Sequence, residues 1–279
     1  MGKGFSINIY LPDGDPDGLR IIGKSHWTGK GLVIPRARLK DYRDHPELQG
    51  AGIYVLTSPS AEGDLPIIYV GQGEPVGACL DADTRDKDFW SWVIVFVSSD
   101  GSIRHSQVEH MQSRLVQVAN QSRRTHVHNP EVPLPPRLSE AQLADAESFL
   151  EDILSIYPVI GISAFQPAPT PPVKQRLLSI RSQGVRATGY EAPEGFVIIA
   201  GSEAANEENR RVSQSLSRLR WVLRENGVLI QKGTSLIFDQ NYPFSSPSTA
   251  AGVVLGRAAN GGAEWKDPLG RTLQVLREG

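Results

Sequence analysis

The sequence has little of three features that often indicate where a protein works. It contains one cysteine, Cys79, in 279 residues, which excludes an internal disulfide bond and agrees with a reducing compartment. No apolar run approaches the roughly 20 residues that span a bilayer. The N-terminal residues lack an apolar signal-peptide core followed by a small-residue cleavage site. These features predict a cytoplasmic protein with no membrane partner.

The sequence also has almost no net charge. Its formal charge is -2 at pH 7, so it has no overall attraction to nucleic acid, and a DNA-binding surface would have to be a local basic patch. One small basic cluster contains Arg36, Arg38 and Lys40. This pattern fits phosphate contacts, and it also fits a solvated strand end.

Length and proline content predict two domains of an α+β fold. A chain of 279 residues is long enough for two ordinary cores. The segment QPAPTPPV at residues 166–173 favours extended backbone over helix or sheet. The predicted parts are an N-terminal β extension at 1–49, a central domain at 50–165, a proline-rich linker at 166–182 and a smaller α+β domain at 183–279.

Apolar periodicity and turn residues predict the local elements of the central and N-terminal parts. The predicted strands are Phe5–Tyr10 and Leu19–Ile22 as a hairpin, Gly31–Arg38, two runs between Gly52 and Gly71, and Trp90–Val97. The predicted helices are Ala78–Thr84, Ser106–Ser122 and one that begins after the capping residue Ser139.

The C-terminal part has its own order of predicted elements. These are a strand at Gly195–Ala200, a helix at Ser213–Glu225, a hairpin around Lys232-Gly233, a Ser-capped helix after Phe244 and a last strand at Thr272–Leu276. The phrases FSSPSTAAGVVLGRAANGGAEWKD and LGRTLQVL resemble a C-terminal domain of unknown function that is often fused to GIY-YIG nuclease domains. That resemblance implies no known activity.

The stretch GIYVLTSPSAEGDLPIIYVG at residues 52–71 is the most informative part of the chain. Two apolar runs with Tyr54 and Tyr69 flank a connection rich in Ser, Pro and Gly, which predicts a β-hairpin with a long loop. Aromatic and β-branched residues alone are typical of any half-buried strand. The paired Gly-Ile-Tyr and Tyr-Val-Gly triplets, however, resemble the signature of the GIY-YIG nuclease family, with Val70 in place of the second isoleucine.

The resemblance implies a small three-stranded antiparallel sheet flanked by helices, with the N-terminal hairpin as an extension. It also implies hydrolysis of DNA phosphodiester bonds that depends on Mg²⁺ or Mn²⁺. Such a reaction needs a base, a metal and a cation that offsets charge on the phosphorane.

The family's functional positions are only partly retained. Tyr54, Tyr69 and Asn129 match the family's two tyrosines and its closing asparagine. Cys79 stands at the position of the arginine, ten residues after Tyr69, and Gln112 stands at the position of the metal-binding glutamate, three residues before Leu115. A neutral amide supplies no charge to a hard cation. The family's frequent histidine is replaced as well, by Asp83.

Two residues are candidates to replace the missing carboxylate and the missing cation. Glu109 lies one helical turn before Gln112 and offers a carboxylate to a metal, and Arg85 offers a cation, although TRDKD also reads as a surface segment. The pair His126 and His128 has a spacing that suits a metal on a strand, but no Cys or acidic partner is near in sequence, which favours an exposed loop.

Three function classes follow from this pattern. The leading hypothesis is a degenerate nuclease-family protein that binds DNA or a partner without efficient cleavage. The first alternative is an active, metal-dependent DNA endonuclease that uses Glu109 or another acid. The second alternative is a cleft repurposed for another ligand, with the Cys79 thiol as its one concrete feature; a lone cysteine is more often an inert small hydrophobe.

Overall fold

A computed structural model describes residues 4–60, 62–182, 184–210 and 212–278. The chain forms two compact units, of which the first contains Met1–Pro59 and Pro66–Gln166 and the second contains Ser60–Leu65 and Pro167–Gly279. The domain limits predicted at residues 1, 183 and 279 lie outside the described residues. In the part of the chain that is described, no helix is long and apolar enough to cross a membrane.

The first unit is built on a mixed sheet of seven strands in the order β1-β2-β3-β6-β4-β5-β7. The strands are β1 (Ile7–Tyr10), β2 (Arg20–Lys24), β3 (Gly29–Pro35), β4 (Gly52–Thr57), β5 (Ile67–Gly73), β6 (Trp92–Ser98) and β7 (His126–Val127). All neighbours are antiparallel except β5 and β7, which are parallel.

Among the described residues, three α-helices flank this sheet, and side chains cap the start of the third. They are α1 (Val76–Asp86), α2 (His105–Ser122) and α3 (Glu140–Ile156); short 3-10 helices lie at Arg36–Tyr42, Pro46–Gln49 and Tyr157–Ile160. The predicted cap of α3 is confirmed, because the Ser139 hydroxyl accepts from the Gln142 amide and the Gln142 side chain accepts from the Ser139 amide. This reciprocal pairing satisfies two N–H groups that a helix start leaves free.

The two faces of the sheet bury different helices. One face packs Ile53, Val55 and Val70 against α2 and α3. The other face packs Tyr54 and Leu56 against residues of α1. Because side chains alternate along a strand, every second residue of β4 belongs to the same core.

The predicted number of strands in this sheet is wrong, because the sheet has seven strands and not three. Strands β1, β2 and β3 belong to the same sheet as β4 and β5, because β3 pairs along its whole length with β6. Side chains of both strands are buried on both faces of the sheet. Such burial is typical of strands in the middle of a sheet that is covered on both sides. The predicted third strand also ends earlier, at Pro35, where Arg36 begins a 3-10 helix.

The second unit contains a four-stranded sheet and a three-stranded sheet. The first has the order β14-β10-β9-β8 and the second the order β11-β13-β12. The strands are β8 (Leu178–Ser182), β9 (Val185–Ala192), β10 (Gly195–Ile198), β11 (Glu203–Ala204), β12 (Leu229–Lys232), β13 (Ser235–Phe238) and β14 (Tyr242–Phe244). The helices are α4 (Gln214–Glu225), α5 (Pro247–Leu255), α6 (Gly261–Glu264) and α7 (Leu273–Glu278).

Two predictions for the second unit need correction. The predicted last strand at Thr272–Leu276 is the helix α7, in which Leu273 is buried and Leu276 packs against the core at helical spacing. The hairpin of β8 and β9 was not predicted, because Leu178 lies within the expected proline-rich linker. The Ser-capped helix is confirmed, since Ser246 accepts from the Thr249 amide at the start of α5.

Candidate functional site

Tyr54 is the buried centre of the candidate site. It lies opposite Gly71 on the neighbouring strand, and its side chain is fully buried. A Cβ atom on Gly71 would lie 2.3 Å from the Tyr54 Cζ atom. The glycine of the Tyr-Val-Gly triplet therefore leaves the space that the phenol ring fills.

The Tyr54 hydroxyl donates a hydrogen bond to the Oδ2 atom of Asp83 on α1. The other oxygen of Asp83 accepts from Lys87 Nζ at 2.8 Å, one helical turn further along. Burial, and then the bond to Asp83, raises the pKa of Tyr54 well above its usual value. The Tyr54 phenol is thus held in its protonated form as a hydrogen-bond donor.

Tyr69 belongs to the same group. The Lys87 ammonium lies 4.1 Å from the centroid of the Tyr69 ring, a cation–π geometry. Burial and the charge of Asp83 also raise the pKa of Tyr69. Tyr54, Tyr69, Asp83 and Lys87 therefore form one cluster on the α1 face of the sheet, called the Asp83 cluster below.

Cys79 packs beside this cluster. A Cβ atom on Gly73 would lie 2.3 Å from the Cys79 Sγ atom, so the thiol occupies the space over that glycine. Cys79 is half-buried and packs against the apolar group that contains Tyr54. At the position where the family resemblance implies an arginine, the side chain is therefore a small packing group.

Gln112 and Asn129 lie elsewhere, at the main chain of β5. Gln112 Nε2 donates to the Val70 carbonyl oxygen at 2.9 Å. The Asn129 side chain accepts from the Val70 amide at 2.9 Å and donates to the same carbonyl at 2.8 Å. The pairing of β5 with β7 ends at Ile68. Beyond it, the side-chain amides of Gln112 and Asn129 bond the main chain of Val70, next to Tyr69.

The structure does not bring Gln112 into the Asp83 cluster. Its helix, α2, packs on the sheet face opposite Tyr54, and its side-chain amide bonds the strand backbone. The role of Gln112 at the metal-ligand position stays a prediction.

The donor groups around Gln112 do not fit a Mg²⁺ or Mn²⁺ site. Such ions prefer several carboxylate or carbonyl oxygens at short range. Glu109 is half-buried and its carboxylate lies 3.5 Å from the His105 ring, and the Gln112 amide nitrogen is bonded to Val70. Among the described residues, no group of three or more His, Cys, Asp or Glu side chains is placed to hold a metal ion.

The four basic residues predicted to contact phosphate differ in whether they are bonded within the protein. Arg36 donates to the carbonyl oxygens of Asp88 and Trp90. Arg38 bonds Asp41 at 2.6 Å and Asp13 at 3.3 Å. Lys40 and Arg85 are exposed. Two of the four predicted phosphate contacts are thus occupied by bonds within the protein.

The two histidines near Asn129 follow the edge of the sheet. The His126 amide donates to the Pro66 carbonyl and the His128 amide to the Ile68 carbonyl. The His128 ring stacks on Phe89 at 4.9 Å between centroids. These contacts give both residues a structural role in placing Asn129.

Sequence reasoning missed the pairing of Asp83 with Lys87. The signal was present, because an acidic residue four positions before a lysine on a helix is a common ion-pair spacing. The family resemblance includes Asp83 only as the replacement of a histidine, and it does not include Lys87. Their contact with two tyrosines depends on the packing of α1 on β4 and β5.

Residues 178–277 match the model of a family described as a domain of unknown function (DUF4357). This match confirms the resemblance predicted for the C-terminal part of the chain. It does not include the hairpin of β4 and β5, so the resemblance to the GIY-YIG family stays a prediction. No curated protein and no solved structure matches the chain.

Proposed function

We propose that the first unit is a GIY-YIG-like domain that binds a partner and does not cleave phosphodiester bonds. The observation that carries this proposal is the Asp83 cluster, in which the Asp83 carboxylate accepts a hydrogen bond from the Tyr54 hydroxyl and pairs with Lys87. The groups that a nuclease would direct toward phosphate are bonded to one another.

The protonation of the tyrosines supports the absence of cleavage. A phenol must lose its proton to act as a general base, and its ordinary pKa near 10 already disfavours this at neutral pH. Burial, and then the Asp83 carboxylate, raises the pKa of Tyr54 and Tyr69 further. A phenolate beside a carboxylate would place two negative charges together.

The lack of an unpaired positive charge near Tyr54 and Tyr69, among the described residues, also supports this proposal. Cys79 supplies no cation, and the charge of Lys87 is offset by Asp83 at 2.8 Å. Loss of one preformed donor to a developing oxyanion costs about a hundredfold to a thousandfold in rate. The arginine position lacks its cation and the glutamate position lacks its metal ligand. With both groups missing, we expect cleavage below detection.

Charge composition favours a protein over DNA as the partner of this unit. The first unit, residues 1–59 and 66–166, contains 15 Lys and Arg but 19 Asp and Glu. Most non-specific affinity for DNA comes from the attraction between basic side chains and phosphates. A unit with a net negative charge repels the phosphate backbone instead. We therefore propose that the retained hairpin serves as a scaffold for protein binding.

A plasmid-nicking assay tests the proposal. The full chain is incubated with supercoiled plasmid in Mg²⁺ or Mn²⁺, with EDTA as the blank and Tyr54→Phe and exposed Tyr10→Phe as matched variants. We expect no nicking above the blank. Metal-dependent nicking that disappears in Tyr54→Phe and persists in Tyr10→Phe would overturn the proposal in favour of an active endonuclease.

A restoration experiment separates a degenerate nuclease from a repurposed cleft. The double variant Cys79→Arg with Gln112→Glu returns the implied cation and carboxylate. Residues that act as a unit are strongly non-additive, so a cleft that has lost only these two groups predicts weak, metal-dependent nicking from the double variant and none from either single change. A folded double variant that binds Mn²⁺ and cuts nothing would favour the repurposed cleft.

A further inference from the structure

Arginine is concentrated in one segment of the second unit. Residues 210–224 contain five arginines and no Lys, Asp or Glu. Most of this segment forms α4, whose inner side packs Val222 and Leu223 in the core. The outer side of the same helix is open to solvent.

The inner arginine of α4 has a structural role. Arg220 is 2% exposed, donates to Glu208 at 3.0 Å, and bonds the carbonyl oxygens of Ala205 and Val253. These bonds account for its charge, so Arg220 is not part of the outer surface.

The outer side presents Arg218, Trp221 and Arg224, three residues apart from one another. Trp221 is 50% exposed, and the Arg218 guanidinium lies 4.8 Å from the centroid of its ring. Arg218 also bonds Asp64 at 2.8 Å, which holds it beside the indole. Arg224 is exposed on the next turn.

We propose that the outer side of α4, formed by Arg218, Trp221 and Arg224, binds single-stranded nucleic acid. An exposed indole offers a flat face on which an unpaired base stacks, whatever its sequence. Arg218, which is bonded to Asp64, lies over one side of the indole ring. Arg224 lies about 4.5 Å beyond Trp221 along the helix axis, so its forked donors can pair with a phosphate next to the stacked base.

Charge complementarity favours an anionic polymer, and the tryptophan favours a single strand. The second unit, residues 60–65 and 167–279, contains 14 Lys and Arg but 12 Asp and Glu, opposite in sign to the rest of the chain. A duplex keeps its bases stacked on each other and offers none to Trp221. An acidic peptide would pair with the arginines but has no flat group to stack on the indole. This inference does not rest on the function proposed for the first unit.

Fluorescence anisotropy with the full chain tests this inference. The probes are a labelled twelve-nucleotide thymidine strand, the matching duplex and polyglutamate of similar charge, all in EDTA so that cleavage cannot contribute. We expect the strand to bind more tightly than either alternative at low salt. We also expect the dependence of log K on log salt to show about 0.7 counterions released for each phosphate contacted.

Three variants separate stacking from charge. Trp221→Ala should weaken binding about tenfold with an unchanged salt slope. Arg224→Gln should lower that slope by about 0.7. Arg186→Gln, which changes an exposed arginine on β9 of the same unit, is the control and should change neither quantity.

Several outcomes would overturn the inference. These are no binding of the strand at low salt, equal binding by Trp221→Ala, or tighter binding of the duplex. Binding of polyglutamate as tight as that of the strand, with no effect of Trp221→Ala, would instead assign the surface to an acidic protein. Circular dichroism of each variant confirms that it is folded.

Discussion

The phenol ring of Tyr54 occupies the place where a side chain on Gly71 would lie. The two residues are direct neighbours on β4 and β5, and a Cβ atom on Gly71 would come within 2.3 Å of Tyr54 Cζ. The ring is fully buried and its hydroxyl is bonded to Asp83. The second triplet of the hairpin therefore ends in glycine because the first triplet ends in tyrosine.

Gly71→Ala should destabilise the protein by about 1–3 kcal/mol, the usual cost of overpacking a buried site. Urea unfolding measures this change. Gly23→Ala is the matched control, since it changes a strand glycine with no heavy atom within 4 Å of the added carbon. In a Tyr54→Ala background the same Gly71→Ala change should cost much less, and equal costs in both backgrounds would contradict the packing argument.

Gln112→Glu should destabilise the protein by about 1–3 kcal/mol at neutral pH. The change replaces the donor to the Val70 carbonyl with a carboxylate that can only accept. Below about pH 4.3, the ordinary pKa of glutamate, the protonated carboxyl can donate again, so the cost should shrink. Stability curves at pH 7 and pH 4 test this, with Glu109→Gln on the same helix as the control. A cost independent of pH would contradict the bond between Gln112 and Val70.

Tyr54 should not ionise near pH 10 in the folded protein, because its pKa is raised by burial and by Asp83. Ultraviolet titration of the folded protein should therefore give the same tyrosinate amplitude near pH 10 for Tyr54→Phe and the unchanged chain. In urea the variant should lose about one of the seven tyrosines. A smaller amplitude for the folded variant would show that Tyr54 titrates normally.

The same shift has a consequence for alkaline stability. A phenol with a raised pKa in the folded state stabilises the fold fully below its unfolded pKa, near 10, and this contribution falls as the pH rises further. Tyr54→Phe should therefore reduce the loss of stability above pH 10, measured by urea unfolding. An unchanged loss would contradict the role of Tyr54.

Glu147 should contribute to stability at neutral pH and lose this contribution in acid. Burial works to raise its pKa, but hydrogen bonds from His110 and Arg114 outweigh burial and hold it below the usual value. The bonds measure 2.6 and 3.0 Å and join α3 to α2. A lowered pKa gives stability that is present above about pH 4.3 and lost as the pH falls further.

Glu147→Gln should therefore cost about 1 kcal/mol at pH 7, since its carboxylate is partly exposed, and should flatten the fall in stability between about pH 5 and pH 3. Thermal unfolding across this range measures both effects. Glu151→Gln, at an exposed position of the same helix, is the control. An unchanged acid profile in Glu147→Gln would contradict the assignment.

Arg220→Met should destabilise the second unit by about 1–3 kcal/mol, because removal of the buried guanidinium leaves the groups that it bonds without their donor. Here those groups are Glu208 and the carbonyl oxygens of Ala205 and Val253. Exposed Arg224→Met on the same helix should change stability by no more than about 0.5 kcal/mol. Equal effects of the two changes in chemical denaturation would contradict the buried network.

Much of the fold was predictable from local signals. The helix before Arg123 and the helix after Ser139 show apolar residues at helical spacing, and the serine caps of α3 and α5 are visible in the chain. The hairpin of β4 and β5 was predicted from turn residues between two apolar runs. The helix α7 was misjudged because a short apolar segment has the same composition in a strand and in a helix.

The sequence by itself determined where strands and helices lie around Tyr54 and Tyr69, and which residues stand at the positions that the GIY-YIG resemblance names. Only the tertiary structure decided that Asp83 and Lys87 meet the tyrosines while Gln112 and Asn129 bond Val70. The physical reason is that spacing along a chain fixes the face of an element on which a residue lies. Which element covers that face depends on packing between segments far apart in sequence, and here α1 and α2 cover opposite faces of one sheet.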